Sequence, residues 1–169
     1  MSPRALRLPM CAVALLLSAA TGRADPLLKV AEVRWTSAVT DGQYGETYDQ
    51  MAPLQPIYLW MRVEAKQAAL DQLRAAGKLP IRHRWFKVVG TSVRYEQSTD
   101  AISLSIGNDQ KLQPLLVELM NRGFFDWRTW SMKDHVSPGW WRVRLEYATG
   151  QPVLCGADLH PCEFDIDIE

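Results

Sequence analysis

Apolar and polar side chains alternate along most of this chain with a period of two, the mark of strands that bury one face. The stretch IYLWMRVE places Ile57, Leu59, Met61 and Val63 on one side and Tyr58, Trp60, Arg62 and Glu64 on the other. The same reading predicts strands in LKVAEVRWT (Leu28–Thr36), IRHRWFKVV (Ile81–Val89), TSVRYEQ (Thr91–Gln97) and AISLSIG, where Ile102, Leu104 and Ile106 share a face. FDWRTWSMK (Phe125–Lys133), WWRVRLEYA (Trp140–Ala148) and CEFDIDI (Cys162–Ile168) follow. In the last of these Phe164, Ile166 and Ile168 turn inward, and Glu163, Asp165 and Asp167 outward. Twice the period becomes helical. AKQAALDQLRAAGKLP sets Ala69, Leu70 and Leu73 at helical spacing, which predicts a helix over Ala65–Ala76 stopped by Gly77. KLQPLLVELMNRG carries a stripe of Leu112, Leu115, Leu116 and Leu119, with Pro114 expected in the first turn and Gly123 at the end. The polar run Asp41–Pro56 reads as a loop, and Gly90 as a bulge or bend.

About seven to eight short strands with two short helical insertions, and no alternation of strand with helix, predict a mainly β protein. The fold expected is an antiparallel immunoglobulin-like β-sandwich, the natural way to bury many one-sided strands. No repeat, low-complexity tract or linker divides the chain after residue 25, so 25–169 is expected to be a single domain.

The first residues follow a different rule. Arg4 and Arg7 precede the apolar run Met10–Ala20, and small residues at Gly22 and Ala24 come before Asp25-Pro26. A basic start, a short apolar core and a small-x-small site predict a secretory signal peptide over 1–24, with cleavage after Ala24 or else Ala20. The apolar run is short for a bilayer span, and Met10 before Cys11 argues against a lipoprotein. The whole chain has 169 residues, 47% of them hydrophobic, with 19 basic and 19 acidic side chains. Losing the leader removes Arg4, Arg7 and Arg23, leaving 16 basic against 19 acidic groups and a net charge of −3. That balance gives no electrostatic footprint for nucleic acid. A soluble periplasmic or secreted protein, with no transmembrane segment in the mature chain, is expected.

Cys155 and Cys162 stay in the mature chain, in CGADLHPC, and an oxidising compartment favours a disulfide between them. The rival reading is a metal site from Cys155, Asp158, His160 and Cys162, although structural zinc sites usually have tighter C-x-x-C spacing. No metal and no cofactor are therefore expected.

Four of the seven tryptophans lie between Phe124 and Leu145. Parity sends Trp141, Val143, Leu145 and Tyr147 inward and Trp140, Arg142, Arg144 and Glu146 outward. Around Trp130 the alternation is less clean. Trp130 and Met132 are expected inside, and Thr129 and Ser131, with the less costly hydroxyls to expose, outside. Trp140 and Trp60 then stand on charged faces, as ligand platforms or as rings lying over arginine stems.

RTWSMK, then PGWWRVRLEYATGQPVL and a final FDI, with IYLWMRV and IRHRWF upstream, resemble a family of exported bacterial domains of unknown function, DUF2914. The resemblance runs from about residue 28 to 168. Its pattern falls on His83, Trp85, Arg128, Thr129, Trp130, Ser131, Lys133, Trp141 and Val143. It implies an exported β-sandwich and brings no established reaction.

The chain contains no G-x-S-x-G, H-E-x-x-H, P-loop or dinucleotide fingerprint. His83 shares its face with Ile81 and Trp85 and reads as a hydrogen-bonded core histidine. The function expected is a non-catalytic binding or adaptor module of the cell envelope, with an envelope protein or a polysaccharide as partner and no enzyme activity. The alternative is a glycan-binding module that stacks sugars on exposed tryptophans. The candidate binding residues are Trp60, Trp140, Arg142, Ser131 and Lys133.

Overall fold

The computed structural model describes residues 27–52, 55–76, 81–100 and 109–169. The expected leader, Gly77 and the strand expected at Ala101–Gly107 lie outside the described residues. In chain order the elements are β1 (Leu28–Thr36), β2 (Val39–Thr40), β3 (Gln43–Tyr44), β4 (Gln50–Met51), β5 (Ile57–Ala65), α1 (Gln67–Ala76), β6 (Ile81–Val89), β7 (Ser92–Asp100), α2 (Asp109–Arg122), β8 (Phe125–Lys133), β9 (Gly139–Tyr147), β10 (Leu154–Cys155), β11 (His160–Pro161) and β12 (Glu163–Ile168).

The long strands form two sheets. One has three strands in the order β1-β5-β8, and the other five in the order β4-β12-β9-β6-β7. All long-strand pairings are antiparallel; the two-residue β4 alone joins its sheet in parallel, Ile168 opposite Met51. The sheets face each other over one core. Leu59, Met61, Val63 and Trp127 come from the smaller sheet, and Trp85, Trp141, Val143, Leu145 and Ile166 from the larger. Trp35 of β1 ties the two together: its indole N–H donates to the Asp165 carbonyl at 3.1 Å, and its ring meets Trp85 edge-on. The connection from β8 to β9 crosses between the sheets, with Val136 buried beneath it.

Both helices close over the same core. α1 buries Ala69, Leu70 and Leu73. α2 lays Leu112, Leu115, Leu116 and Leu119 against it and ends at Gly123, whose φ of 76° is the left-handed cap that lets its N–H reach the Leu119 carbonyl. Because α2 begins at Asp109, Pro114 stands in its second turn rather than the expected first, where it has no N–H to offer the carbonyl one turn back.

The run after β1, expected as a loop, contains a tight hairpin. Asp41 and Gly42 both have positive φ (51° and 73°), the geometry of an Asp-Gly turn. The turn brings β2 against β3 and folds the pair over the outer side of the small sheet.

Candidate functional site

The outer face of the five-stranded sheet collects the outward-pointing residues of β12, β9, β6 and β7 into rows. In one row Asp165, Arg142, Phe86 and Tyr95 are successive register partners. The next row toward the tip holds Asp167 opposite Trp140 and Val88 opposite Val93. On the other side lie Glu163, Arg144 and Arg84.

Much of this face is an ion-pair lattice. Arg142 grips Asp165 with two hydrogen bonds, of 2.7 and 2.8 Å, and approaches Glu163 at 3.1 Å. Arg144 meets Glu163 at 2.6 Å, and Arg84 meets the buried Glu146 at 3.6 Å. The bond to Asp165 raises the Arg142 pKa against the opposite pull of desolvation, so the guanidinium is permanently charged. Fork-to-carboxylate pairs of this kind fix geometry as well as charge. Phe86 lies between two guanidiniums, Arg84 at 5.5 Å and Arg144 at 5.2 Å from its ring centre, and Arg84 also covers Tyr95 at 4.7 Å.

Beyond the lattice the surface turns apolar. Trp140 is 53% exposed, Tyr95 48% and Val93 45%. Trp141, the next residue in the chain, is buried. Its indole N–H donates to the Ser137 carbonyl at 2.8 Å, and the Lys87 and Lys133 ammoniums stand 4.8 and 5.0 Å from its ring centre.

Of the candidate binding residues, the structure brings Trp140 and Arg142 together on this face. Lys133 is half-buried over Trp141, on the inward side of β9 rather than on this outer face. Trp60 is not a platform. It is 2% exposed, roofed by the β2–β3 hairpin, where its indole N–H donates to the Gly42 carbonyl at 2.9 Å and Tyr44 packs edge-on at 4.7 Å. The charged face that parity assigned to it exists, but a turn of the chain covers it.

Ser131 is not a surface group either. β8 buries Phe125, Trp127, Thr129 and Ser131 and turns Arg128, Trp130 and Met132 outward, which reverses the expected placing of Trp130, Thr129 and Ser131. Trp130 lies opposite Trp60 on the outer side of the small sheet, close against Gly42. The hydroxyl of Ser131 is drawn inward by two partners on the opposite sheet, His83 Nδ1 at 2.7 Å and Trp85 Nε1 at 3.1 Å. Buried polar groups are tolerated when they bond to each other, so here the serine belongs inside.

His83 is the core histidine expected. Burial lowers its pKa to about 3, and its Nε2 has no hydrogen-bond partner. A serine oxygen 2.7 Å from an imidazole has the spacing of a nucleophile and its base. This pair, however, is sealed between two sheets, Ser131 also accepts the Trp85 N–H, and no carboxylate orients the ring.

Cys155 and Cys162 are joined in a disulfide, with Cα atoms 5.0 Å apart. The bridge closes the β10–β11 loop, whose Leu154, Gly156, Ala157 and Leu159 form one wall of a cleft of about 400 Å³; Leu28 and Val30 of β1 form the other. Among the described residues no group of three or more His, Cys, Asp and Glu side chains is arranged to hold a metal ion, and no helix is long and apolar enough to cross a membrane.

Sequence reasoning missed that Tyr95, Phe86 and Asp165 share the outer face with Trp140 and Arg142. The pairing of Phe86 with Tyr95 follows a bulge between Trp85 and Phe86, which single-strand parity does not reveal.

No protein-family model matches the chain, and no curated protein does. Among solved structures it is similar to the Pseudomonas fluorescens alkylpurine DNA glycosylase AlkC bound to DNA containing an abasic site analog. The TM-score is 0.45 at 12% identity, over 84% of this chain and 31% of that one. The chain thus spans less than a third of that enzyme's length.

Proposed function

We propose that this protein is a non-catalytic binding or adaptor module of the bacterial envelope, exported after loss of residues 1–24. Its contact surface is the outer face of the five-stranded sheet. The observation that carries this reading is the exposed patch of Trp140, Val93 and Tyr95 in two adjacent rows of the face, set beside a lattice of arginines and carboxylates that hold one another in place. Such a surface is rigid before it meets a partner, which lowers the ordering cost of binding. Its aromatic and arginine content is that of binding hot spots.

The two-sheet frame, with long antiparallel strands and a β8–β9 connection that changes sheets, supports an immunoglobulin-like sandwich. The disulfide supports an oxidising compartment. An envelope protein is the favoured partner, because Val88 and Val93, in the row of Trp140, extend the aromatic patch with aliphatic side chains that a sugar ring does not stack on. A glycan is the second reading. It is supported by the Arg142–Asp165 pair beside Trp140, an aromatic plane next to fixed hydrogen-bonding groups.

Capture experiments on outer-membrane material and on purified peptidoglycan separate the two. Trp140→Ala and Tyr95→Ala should each weaken capture by about tenfold, roughly 1.4 kcal/mol. Retention on peptidoglycan alone would select the glycan. Unchanged capture by both variants would remove this face from the function.

A further inference from the structure

The β6–β7 hairpin runs past the end of the core. Trp85 is the last fully buried residue of β6 on its inner side; Val89, of the same parity, is 61% exposed. On the opposite side of the hairpin Val93 and Tyr95 are exposed and Val88 is half-buried. The projecting stretch is KVVGTSVR, apolar or neutral between two cationic residues. Those two, Lys87 and Arg94, are register partners across the hairpin, and Gly90, at φ 60°, makes the turn. Lys87 is anchored at the base by the carbonyl oxygens of Ser137 and Pro138.

A partner lying on the outer face would cover Val88, Val93, Tyr95 and Trp140 and leave Val89 in water. Apolar exposure on both sides of one hairpin fits surroundings that are apolar all round, and a cationic pair below the tip fits a surface that is anionic. We propose that the hairpin tip, Val88–Val93, inserts into the interfacial layer of an anionic lipid bilayer. Trp140 and Tyr95 then sit at headgroup level, where amphipathic rings are favoured, and the positive charges of Lys87, held on the Ser137 and Pro138 carbonyls, and of Arg94 lie near the level of the lipid phosphates. The dimensions agree. From Lys87 to Gly90 a strand rises about 10 Å at ~3.3 Å per residue, close to the ~5–10 Å reached by interfacial segments. At that depth backbone groups outside the ladder still meet water.

The proposal shares Trp140, Tyr95, Val88 and Val93 with the binding-module reading, whereas Val89 lies on the other side of the hairpin and belongs to the membrane proposal alone. The purified exported protein is floated with vesicles of phosphatidylglycerol and phosphatidylethanolamine, and with phosphatidylcholine vesicles as the neutral control. Binding is expected to the anionic vesicles, to weaken with added salt, and to fall about tenfold or more with Val89→Asp and with Val93→Asp. Val89→Ser, which adds no charge, should cost a smaller factor. Thermal melts check that each variant is folded. Absence of flotation with anionic vesicles overturns the proposal, and so does equal flotation of wild type and Val89→Asp. If Val89→Asp changes nothing while Trp140→Ala abolishes capture of envelope protein, the partner lies on the outer face alone. Membrane insertion is then wrong and the binding-face reading stands.

Discussion

Replacing Trp141 by alanine removes an indole packed between the sheets and takes its N–H from the Ser137 carbonyl, which keeps the Lys87 ammonium as a donor. A truncation of that size in a core costs about 3–5 kcal/mol, a large share of the roughly 5–15 kcal/mol that a domain has in total. Trp140→Ala, one residue earlier, should change stability by about 1 kcal/mol or less. Urea melts of the two variants check this, and the reverse order would shift every inside and outside assignment in β9. Ser131→Ala leaves His83 Nδ1 and Trp85 Nε1 unpartnered in the core, at about 1–3 kcal/mol for each orphaned group; the same melts read it. His83 makes the protein acid-sensitive. Its pKa is about 3 in the folded protein, against about 6.5 in the unfolded chain. Between those values the unfolded chain takes up a proton that the folded one refuses. This contribution is therefore fully present above about pH 6.5 and is lost as the pH falls toward 3, by up to ~1.4 kcal/mol per pH unit. Denaturant melts from pH 7 to 4 should show that slope, and His83→Gln should flatten it.

At the scale of elements, the disulfide closes a short loop immediately before β12. A loop of that length is worth about 2.5 kcal/mol in the chain-entropy model. Reduction should lower the urea midpoint by the corresponding amount, and intact mass after alkylation should show no free thiol in the oxidised protein. The bounds of β1, β5, β6, β8 and β12 were legible to within a residue, from alternation and from the β-forming side chains that fill these stretches. What alternation did not supply was the identity of the face that a third layer covers. Trp60 has the parity of an exposed residue and lies under the β2–β3 turn, although Asp41-Gly42 was a legible hairpin signal. In β8, Phe125 and Trp127 share parity with Thr129 and Ser131, and the whole strand outvotes Trp130 and Met132. A hydroxyl judged by its own solvation looks outward. Judged with His83 and Trp85 across the core it turns inward, and that contact joins residues 46 and 48 positions apart. The candidate site was half legible for the same reason: Trp140 and Arg142 share a strand, while Tyr95 and Asp165 reach them only through pairing.

For the whole molecule, the proposed function requires export and a rigid sheet face turned to the envelope. Export predicts a mature N-terminus at Asp25, or failing that Thr21, in the osmotic-shock fraction; an unprocessed chain found only with membranes would favour an anchor instead. The face itself is tested most directly by hydroxyl-radical footprinting of the protein with and without an envelope fraction. Trp140 and Tyr95 should lose labelling when the partner is present. Met120, 83% exposed on α2, should not. Unchanged labelling at Trp140 with protection at Met120 would place the partner on the helix and contradict the account.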